Sequence, residues 1–194
     1  MRGHAGALAG AVWLGREVLR ERRVTGPVTA AAARYRVDPN LVRAVMWQES
    51  RLRPDARGTH GELGLMQVRD IAAREWAESE HLKSFQHFDC LNPATNAFAG
   101  TFYLGKLLKR YGSTDDPVPY ALADYNAGRG NVLKWNSGAA ATNSSAFIRQ
   151  IGFPQTHAYV RAIQRRREWY DAGALGSAVN GAILQFVSVL VLGP

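Results

Sequence analysis

The sequence predicts an all-α fold, and three observations favour this class. Apolar residues recur at helical spacing through most of the chain, period-two alternation is missing, and prolines and glycines divide the chain into segments of about helix length. The 194 residues are 46% hydrophobic and 21% charged, which is the composition of one folded domain with a substantial core. We therefore expect a single helical domain without internal repeats.

Each predicted helix has start and stop signals of the ordinary kind. Asp38, Asn92 and Asp116 can each cap a helix N-terminus, and each is followed by a proline in the first turn, where the missing N–H is harmless. Three glycines in the segment 58–64 predict an irregular loop before the third helix. The predicted helices cover about 28–36, 38–52, 70 onward, 92–112, 116–128, 131–135, 145–151 and 155–170.

The chain is basic, with a net charge of +8, so an anionic partner is expected. Nucleic acid, an acidic polysaccharide and an anionic membrane surface all satisfy this charge. The basic runs at 20–23 and 165–167 are short, and we interpret them as solvated helix faces. Charge alone does not choose between these partners.

The two ends of the chain differ in composition from its middle. Residues 5–15 are uncharged and resemble the apolar part of a signal sequence, but they are too few to span a bilayer. Residues 172–194 carry no charge, yet Asn180, Gln185 and several glycines weaken a membrane-span interpretation. We therefore divide the chain into an N-terminal segment 1–27 that is a candidate truncated signal or anchor, a domain 28–172, and an apolar tail 173–194. Membrane association through either end stays open.

Cysteine and histidine give no sign of a metal centre. Cys90 is the only cysteine, which excludes an intrachain disulfide and a cysteine-rich zinc site. The five histidines have no metal-binding spacing. We expect no metal site.

One carboxylate stands on the apolar face of the second predicted helix. Val45 and Met46 lie one turn before Glu49, so packing of this face would remove water from the carboxyl group. Desolvation raises a carboxyl pKa, and a protonated carboxyl at neutral pH can act as a general acid in glycoside cleavage. An alternative, in which Glu49 lies at the edge of the face and pairs with Arg43 or Arg53, also fits the spacing.

Two further stretches, GELGLMQV and ALADYNAG, combine small residues with neutral hydrogen-bonding side chains. Gln67 lies in the first stretch, and Tyr125 and Asn126 lie in the second. Such groups suit a groove for sugars that bear hydroxyl and acetamido groups. Each stretch alone also fits an ordinary turn or helix end.

Taken in order, these motifs resemble the soluble lytic transglycosylase family and its lysozyme-like (goose-type) helical catalytic domain. The resemblance rests on ESRLRPDARGTHGELGLMQV, NPATNAFAGTFYLGKLLKRYG, ALADYNAG and the late AYV, and it covers about residues 28–170. It implies cleavage of the β-1,4 bond between N-acetylmuramic acid and N-acetylglucosamine in peptidoglycan, leaving 1,6-anhydromuramoyl ends. It also implies that no cofactor is needed and that the protein is a monomer at the bacterial cell envelope, with glycan strands rather than nucleic acid as its partner.

The resemblance assigns roles to individual residues. Glu49 matches the single catalytic acid/base, and Tyr159 matches a late tyrosine whose hydroxyl approaches that glutamate. The expected substrate-binding set is Ser50, Met66, Gln67, Tyr125, Asn126 and Tyr159, with Met66 packing behind the glutamine.

The chain departs from the family pattern at four positions. Arg69 stands where a methionine often follows GLMQ, and Gly58 stands where a serine or another polar residue is common. Gln155 and His157 replace a glutamate and an arginine near the start of the last helix. These differences bear on contacts with the sugars and leave Glu49 in place.

Other functions remain open on the sequence. Most glycosidases use two carboxylates, whereas only Glu49 lies on an apolar face here, which favours a non-hydrolytic route. A muramidase of the same fold would need Asp55 or Glu62 to position water. From other classes, a basic helical protein that binds nucleic acid and a glycan-binding module without activity are also considered.

Overall fold

The computed structural model describes the backbone of residues 2–173 and the side chains of residues 15–173. From residue 174 onward, the predicted apolar tail lies outside the described residues. Within the described part the chain is helical without strands, so the predicted all-α class is confirmed. The α-helices are α1 (Arg2–Tyr35), α2 (Pro39–Ser50), α3 (Asp70–Ser79), α4 (Pro93–Arg110), α5 (Pro117–Ala127), α6 (Arg129–Trp135), α7 (Ser144–Gln150) and α8 (Pro154–Asp171), with 3-10 turns at His87–Leu91 and Gly138–Ala141.

Helix α1 differs most from the prediction. It runs from Arg2 to Tyr35 with Pro27 inside it, so the predicted helix start at Val28 is wrong. A proline removes only one backbone hydrogen bond, and tertiary packing upstream can hold the helix together across it. Glu21 and Val24 are both buried against the rest of the domain and supply that packing.

Among the described residues, no helix combines the length and the apolar character needed to cross a membrane.

The predicted N-terminal caps are confirmed. Asp38 accepts a hydrogen bond from the amide of Asn40 at 2.8 Å, and Asn92 accepts one from the amide of Ala94 at 2.9 Å. Asp116 likewise accepts from the amide of Val118 at 3.0 Å. These caps fix where α2, α4 and α5 begin, and thereby which residues fall in the last turns of α2 and α5.

The helices pack so that α2, α5 and α8 meet around the end of α2. Helix α2 packs mainly on α8, α5 packs on both α4 and α8, and α1 packs on α4 and α2. On the far side of α5, Tyr120 stacks on Phe147 with ring centroids 4.0 Å apart. Since α5 is held on both sides, its C-terminal turn has a fixed position beside the end of α2.

The irregular loop between α2 and α3 is tied to α4 by one buried side chain. Asn96 accepts a hydrogen bond from the amide of Met66 at 2.7 Å and donates to the carbonyls of Leu63 and Cys90 at 2.7 and 2.8 Å. Gly64 has a φ of +73°, and a Cβ there would lie 2.4 Å from the Asn96 amide nitrogen. The loop therefore needs both a glycine and an amide to hold its shape.

Candidate active site

Glu49 lies in the last turn of α2 and is partly buried. The Tyr159 hydroxyl donates a hydrogen bond to its Oε1 at 2.5 Å. Burial raises the pKa of Glu49 to about 7, the hydrogen bond from Tyr159 opposes that rise, and the negative charge of Glu62 adds to it. The raised pKa predicted from the apolar face is thus present, with desolvation as its main cause.

The alternative ion pairs of Glu49 do not form. Arg43 instead approaches Glu21, with 3.5 Å between Nε and Oε2. Arg53 folds back and donates from Nε to the carbonyl of Ser50 at 3.1 Å. Glu49 is therefore a carboxyl group without a cationic partner among the described residues.

Glu49 opens into a groove of about 510 Å³ between the α2–α3 loop, α3, α4 and the end of α5. The start of α3 and the YNAG segment at the end of α5 both line this groove. The lining residues are Glu49, Glu62, Gln67, Val68, Arg69, Ile71, Ala72, Tyr103, Asp124, Tyr125, Asn126, Ala127 and Gly128. The structure thus brings Glu49, Gln67, Tyr125 and Asn126 to one groove.

Gln67 and Tyr125 are held in place by the backbone of the loop. Gln67 has a φ of +48° and donates from Nε2 to the carbonyls of Gly64 and Ala56 at 2.9 and 3.2 Å. The Tyr125 hydroxyl donates to the carbonyl of Met66 at 2.8 Å. Both side chains therefore fix the groove wall as well as line it.

Asn126 and Tyr159 reach the site in different ways. Asn126 is exposed in the groove, and its Oδ1 accepts a hydrogen bond from the hydroxyl of Thr156 at 2.8 Å. Tyr159 is buried and contacts Glu49 rather than the open groove. Burial and the charge of Glu49 raise the pKa of Tyr159, so it remains a hydroxyl donor across the physiological range.

Ser50 and Met66 lie behind the groove. Ser50 is buried and donates to the carbonyl of Leu65 at 2.8 Å. Met66 is fully buried against Gly100, where a Cβ would lie 2.4 Å from its sulfur. The expected substrate contact does not fit this placement, because neither side chain reaches the groove; both support the loop that carries Gln67.

Two further charged groups line the groove. Asp124 is buried and accepts hydrogen bonds from Arg110 at 2.6 Å and from the Tyr111 hydroxyl at 2.7 Å. Glu62, which was considered only for positioning water in a muramidase, lines the groove and pairs with Arg69. In the sequence, each is only an acidic residue beside a motif. This pattern is too common in proteins to identify a groove residue.

Tyr103 and Asn96 were missed by the sequence interpretation. Tyr103 lines the groove and packs on Tyr125 with ring centroids 5.5 Å apart. It is partly buried and packs against the core, so its position in α4 gave no specific signal for a groove residue. Asn96 gave no signal, because a buried asparagine in a helix cannot be distinguished by sequence pattern from an exposed one.

The remaining departures from the family pattern are placed as follows. Gln155 and His157 are exposed in the first turn of α8 and do not line the groove. Gly58 lies against Glu62 and Gln67 in the loop. Within the described part of the chain, no three histidine, cysteine, aspartate or glutamate side chains are grouped to hold a metal ion.

Comparisons with known proteins identify the family of this domain. The family model of the transglycosylase SLT domain matches residues 26–148. The membrane-bound lytic murein transglycosylase F of Desulfosudis oleivorans is 28% identical over 167 residues, which are 82% of this chain and 33% of the relative.

Solved structures show the same fold. The 70 kDa soluble lytic transglycosylase Slt70 of Escherichia coli superposes with a TM-score of 0.69 and 25% identity, covering 80% of this chain and 26% of the neighbour. An inactive mutant of the lytic transglycosylase Slt from Pseudomonas aeruginosa gives a TM-score of 0.67 at 23% identity, covering 80% of this chain and 24% of the neighbour. The chain thus spans about a third of the curated relative and about a quarter of these neighbours.

The fold and the site together define a lysozyme-like helical domain whose groove, among the described residues, holds three carboxyl groups, of which Glu62 and Asp124 are paired with arginines and Glu49 is not. The chain belongs to the transglycosylase SLT domain family.

Proposed function

We propose that this chain is the catalytic domain of a peptidoglycan lytic transglycosylase, and that it cleaves the β-1,4 bond between N-acetylmuramic acid and N-acetylglucosamine without water. The observation that carries the proposal is Glu49 itself. It opens into a groove whose neutral hydrogen-bonding side chains suit sugars. Burial raises its pKa to about 7, and Tyr159 donates a hydrogen bond to it.

Glu49 first acts as a general acid. Its carboxyl proton passes to the glycosidic oxygen while the bond between that oxygen and C1 of the muramoyl residue breaks. The carbonyl oxygen of the neighbouring acetamido group of the substrate stabilises the positive charge at C1. Because the acid is protonated up to about neutral pH, this step needs no second protein carboxyl group.

Glu49 then acts as a general base. The carboxylate takes the proton of the muramoyl C6 hydroxyl, and O6 bonds to C1 as the acetamido oxygen leaves. The product is a 1,6-anhydromuramoyl end, and Glu49 regains its proton. The Tyr159 hydroxyl stabilises the transient carboxylate, since a donor 2.5 Å from Oε1 favours the ionised form.

The other groove residues bind the glycan and take no part in proton transfer. The exposed amide of Asn126 and the side chain of Gln67 offer donors and acceptors for hydroxyl and acetamido groups. Tyr103 and Tyr125 provide aromatic surface in the groove, with their ring centroids 5.5 Å apart. These positions support an extended glycan strand as the substrate.

The decisive experiment is digestion of purified peptidoglycan followed by mass spectrometry of the new ends. Anhydro ends, lighter by one water than reducing ends, are expected for the parent protein. Glu49→Gln should reduce cleavage by at least about a thousandfold while glycan binding persists. Glu78→Gln, the same change at an exposed position of α3, should leave cleavage intact.

Reducing ends would instead establish the muramidase alternative. Of the two carboxylates considered for positioning water, Asp55 does not line the groove, whereas Glu62 does. Both Glu62 oxygens already accept hydrogen bonds, from Arg69 and from the amide of His60. This occupancy favours the transglycosylase reaction over hydrolysis.

We further propose that the protein acts on glycan strands at the bacterial cell envelope, as a monomer. The 165–167 run lends the nucleic-acid alternative little support, because two of its three arginines are paired with carboxylates. Arg166 binds Glu17 at 2.8 Å and Arg167 binds Asp38 at 2.7 Å. Membrane attachment through either end is a separate proposal, tested by fractionation of cells that express the full chain.

A further inference from the structure

A second carboxylate shares the groove with Glu49 and is neutralised by an unusual partner. The Arg69 guanidinium lies 2.8 Å from Glu62 Oε1, and its Nε donates to the same oxygen at 3.0 Å. The amide of His60 donates to Oε2 at 2.9 Å. Although burial alone would raise the pKa of Glu62, these backbone and arginine hydrogen bonds lower it, so Glu62 is ionised at neutral pH.

Gly58 makes room for this ion pair. A Cβ at position 58 would lie 2.3 Å from Glu62 Oε2 and 2.9 Å from Glu62 Cβ. A serine at this position would therefore displace Glu62 from its place beside Gln67. Two departures from the family pattern, Gly58 and Arg69, thus meet at one carboxylate.

We propose that Glu62 and Arg69 form a positioning pair that sets the proton affinity of Glu49 through the groove. Glu62 places a negative charge in the groove that Glu49 opens into, and Arg69 partly cancels it. The proposal rests on the proposed function, because it concerns the acid of that reaction.

The sign of the coupling follows from electrostatics. An unshielded Glu62 charge makes it harder to ionise Glu49, so Glu49 keeps its proton to higher pH. Removing Arg69 strengthens this effect, and removing the charge of Glu62 abolishes it. A substrate carboxylate that drew Arg69 away from Glu62 would act like the removal of Arg69.

The other groups around Glu49 are accounted for. The Asp124 charge from α5 is balanced by Arg110, and the two tyrosines stay neutral because their pKa values are raised. The titratable and charged groups that contact Glu49 or line its groove are Tyr159 of α8, Tyr125 and Asp124 of α5, Tyr103 of α4, and Glu62 and Arg69 of the loop.

The test is the pH midpoint of Glu49 in four variants. Carbon NMR of isotope-labelled glutamate gives this midpoint without substrate, with the resonance assigned by its loss in Glu49→Gln. The pH at which the cleavage rate falls on the alkaline side of its pH profile gives a second measure of this midpoint. We expect Glu62→Gln to lower the midpoint by less than about one pH unit, Arg69→Gln to raise it, and Arg69→Lys to leave it near the parent value. The double variant Glu62→Gln with Arg69→Gln should fall between Glu62→Gln alone and the parent, because the positive charge of Arg69 is then also absent.

The matched controls are Arg34→Gln and Glu80→Gln, which break a surface pair of the same type, with 2.9 Å between NH2 and Oε2, outside the groove. These controls should leave the midpoint unchanged. A midpoint that stays at the parent value in both Glu62→Gln and Arg69→Gln overturns the proposal, as does a uniform loss of rate at all pH values, which would indicate only a structural role. Failure of the parent protein to yield anhydro ends overturns the proposed function instead, and the NMR midpoints are read independently of that result.

Discussion

The hydroxyl of Tyr159 in α8 and the carboxylate of Glu49 in α2 are joined by a hydrogen bond of 2.5 Å across 110 positions of sequence. In the parent, the hydrogen bond from Tyr159 favours the ionised form of Glu49. Tyr159→Phe removes this bond, so we expect the pKa of Glu49 to rise. The alkaline limb of the rate should move to higher pH while the maximal rate falls about tenfold, since the transient carboxylate loses a donor.

The binding of glycan should be nearly unchanged in Tyr159→Phe, because Tyr159 does not line the groove. The matched control is Tyr35→Phe, which removes another tyrosine bond to a glutamate, 2.9 Å from Glu80. A fall in maximal rate of the same size in both variants would contradict a specific role for Tyr159.

The cleavage rate of the parent protein should decline as the pH rises through about 7. The pKa of Glu49 is raised to about this value by burial, so the acid is protonated below it and ionised above it. Since the first step needs the protonated form, the rate should fall tenfold per pH unit on the alkaline side. A rate that is flat from pH 6 to 9 would contradict Glu49 as the acid.

The same group should make stability depend on pH. The folded protein binds the Glu49 proton more tightly than the unfolded chain, so stability falls as the pH rises from about 4.5 toward 7 and stays low above it. At pH 8 the free energy of unfolding of Glu49→Gln should therefore be about 1–2 kcal/mol higher than that of the parent. At pH 5 the two proteins should have similar free energies of unfolding. Urea denaturation at both pH values measures this difference, and equal differences at both would refute it.

Asn96 should matter for both stability and activity. Asn96→Ala removes the partner of the Met66 amide and of the Cys90 carbonyl, and it leaves the Leu63 carbonyl with the Val68 amide as donor. We expect this to cost about 2–4 kcal/mol of unfolding free energy. The loop that carries Gln67 should loosen, and the rate should fall even where the variant is folded. Asn40→Ala, which loses one surface bond to Asp171, is the control and should change stability by less than about 1 kcal/mol.

The arginine run at 165–167 offers a sharp contrast between neighbours. Arg166 lies 15% exposed between Glu17 and Glu21, and stacks on Trp47 at 4.2 Å. Arg166→Met should cost about 2–4 kcal/mol, because buried Glu17 loses its counter-charge and buried Glu21 is left with Arg43, 3.5 Å away. Arg165→Met, at the exposed adjacent position, should be almost neutral.

Restoring much of the stability by adding Glu17→Gln and Glu21→Gln to Arg166→Met would show that uncompensated charge, rather than lost packing, causes the effect. Thermal unfolding of the single and triple variants makes this comparison. Unchanged stability of Arg166→Met would contradict the buried cluster.

Local signals predicted much of the fold. Proline in the first turn after a capping side chain identified the starts of α2, α4 and α5, because capping depends on neighbours within three residues. The start of α1 was wrong, since its upstream turns depend on Glu17 and Glu21 meeting Arg166 and Tyr170, about 149 residues away. No local pattern reports such a partner.

The candidate site was predicted unevenly for the same reason. The apolar stripe around Glu49 is visible within one helix, so a raised pKa could be inferred from spacing. The bond from Tyr159 followed only from the family resemblance. The pairing of Glu62 with Arg69 depends on the path of a glycine-rich loop, which periodicity does not encode.

Helix α1 also has a practical consequence for how this domain is defined. Sequence similarity to the family model begins at residue 26, but α1 is continuous across that point and carries Glu17 and Glu21 into the interior beside α8. The segment that matches the family model is therefore shorter than the segment that folds as a unit. A fragment that began at residue 26 and kept the rest of the chain would retain Glu49 and its groove, yet it would expose the basic side of α8 and the back of Trp47 to water.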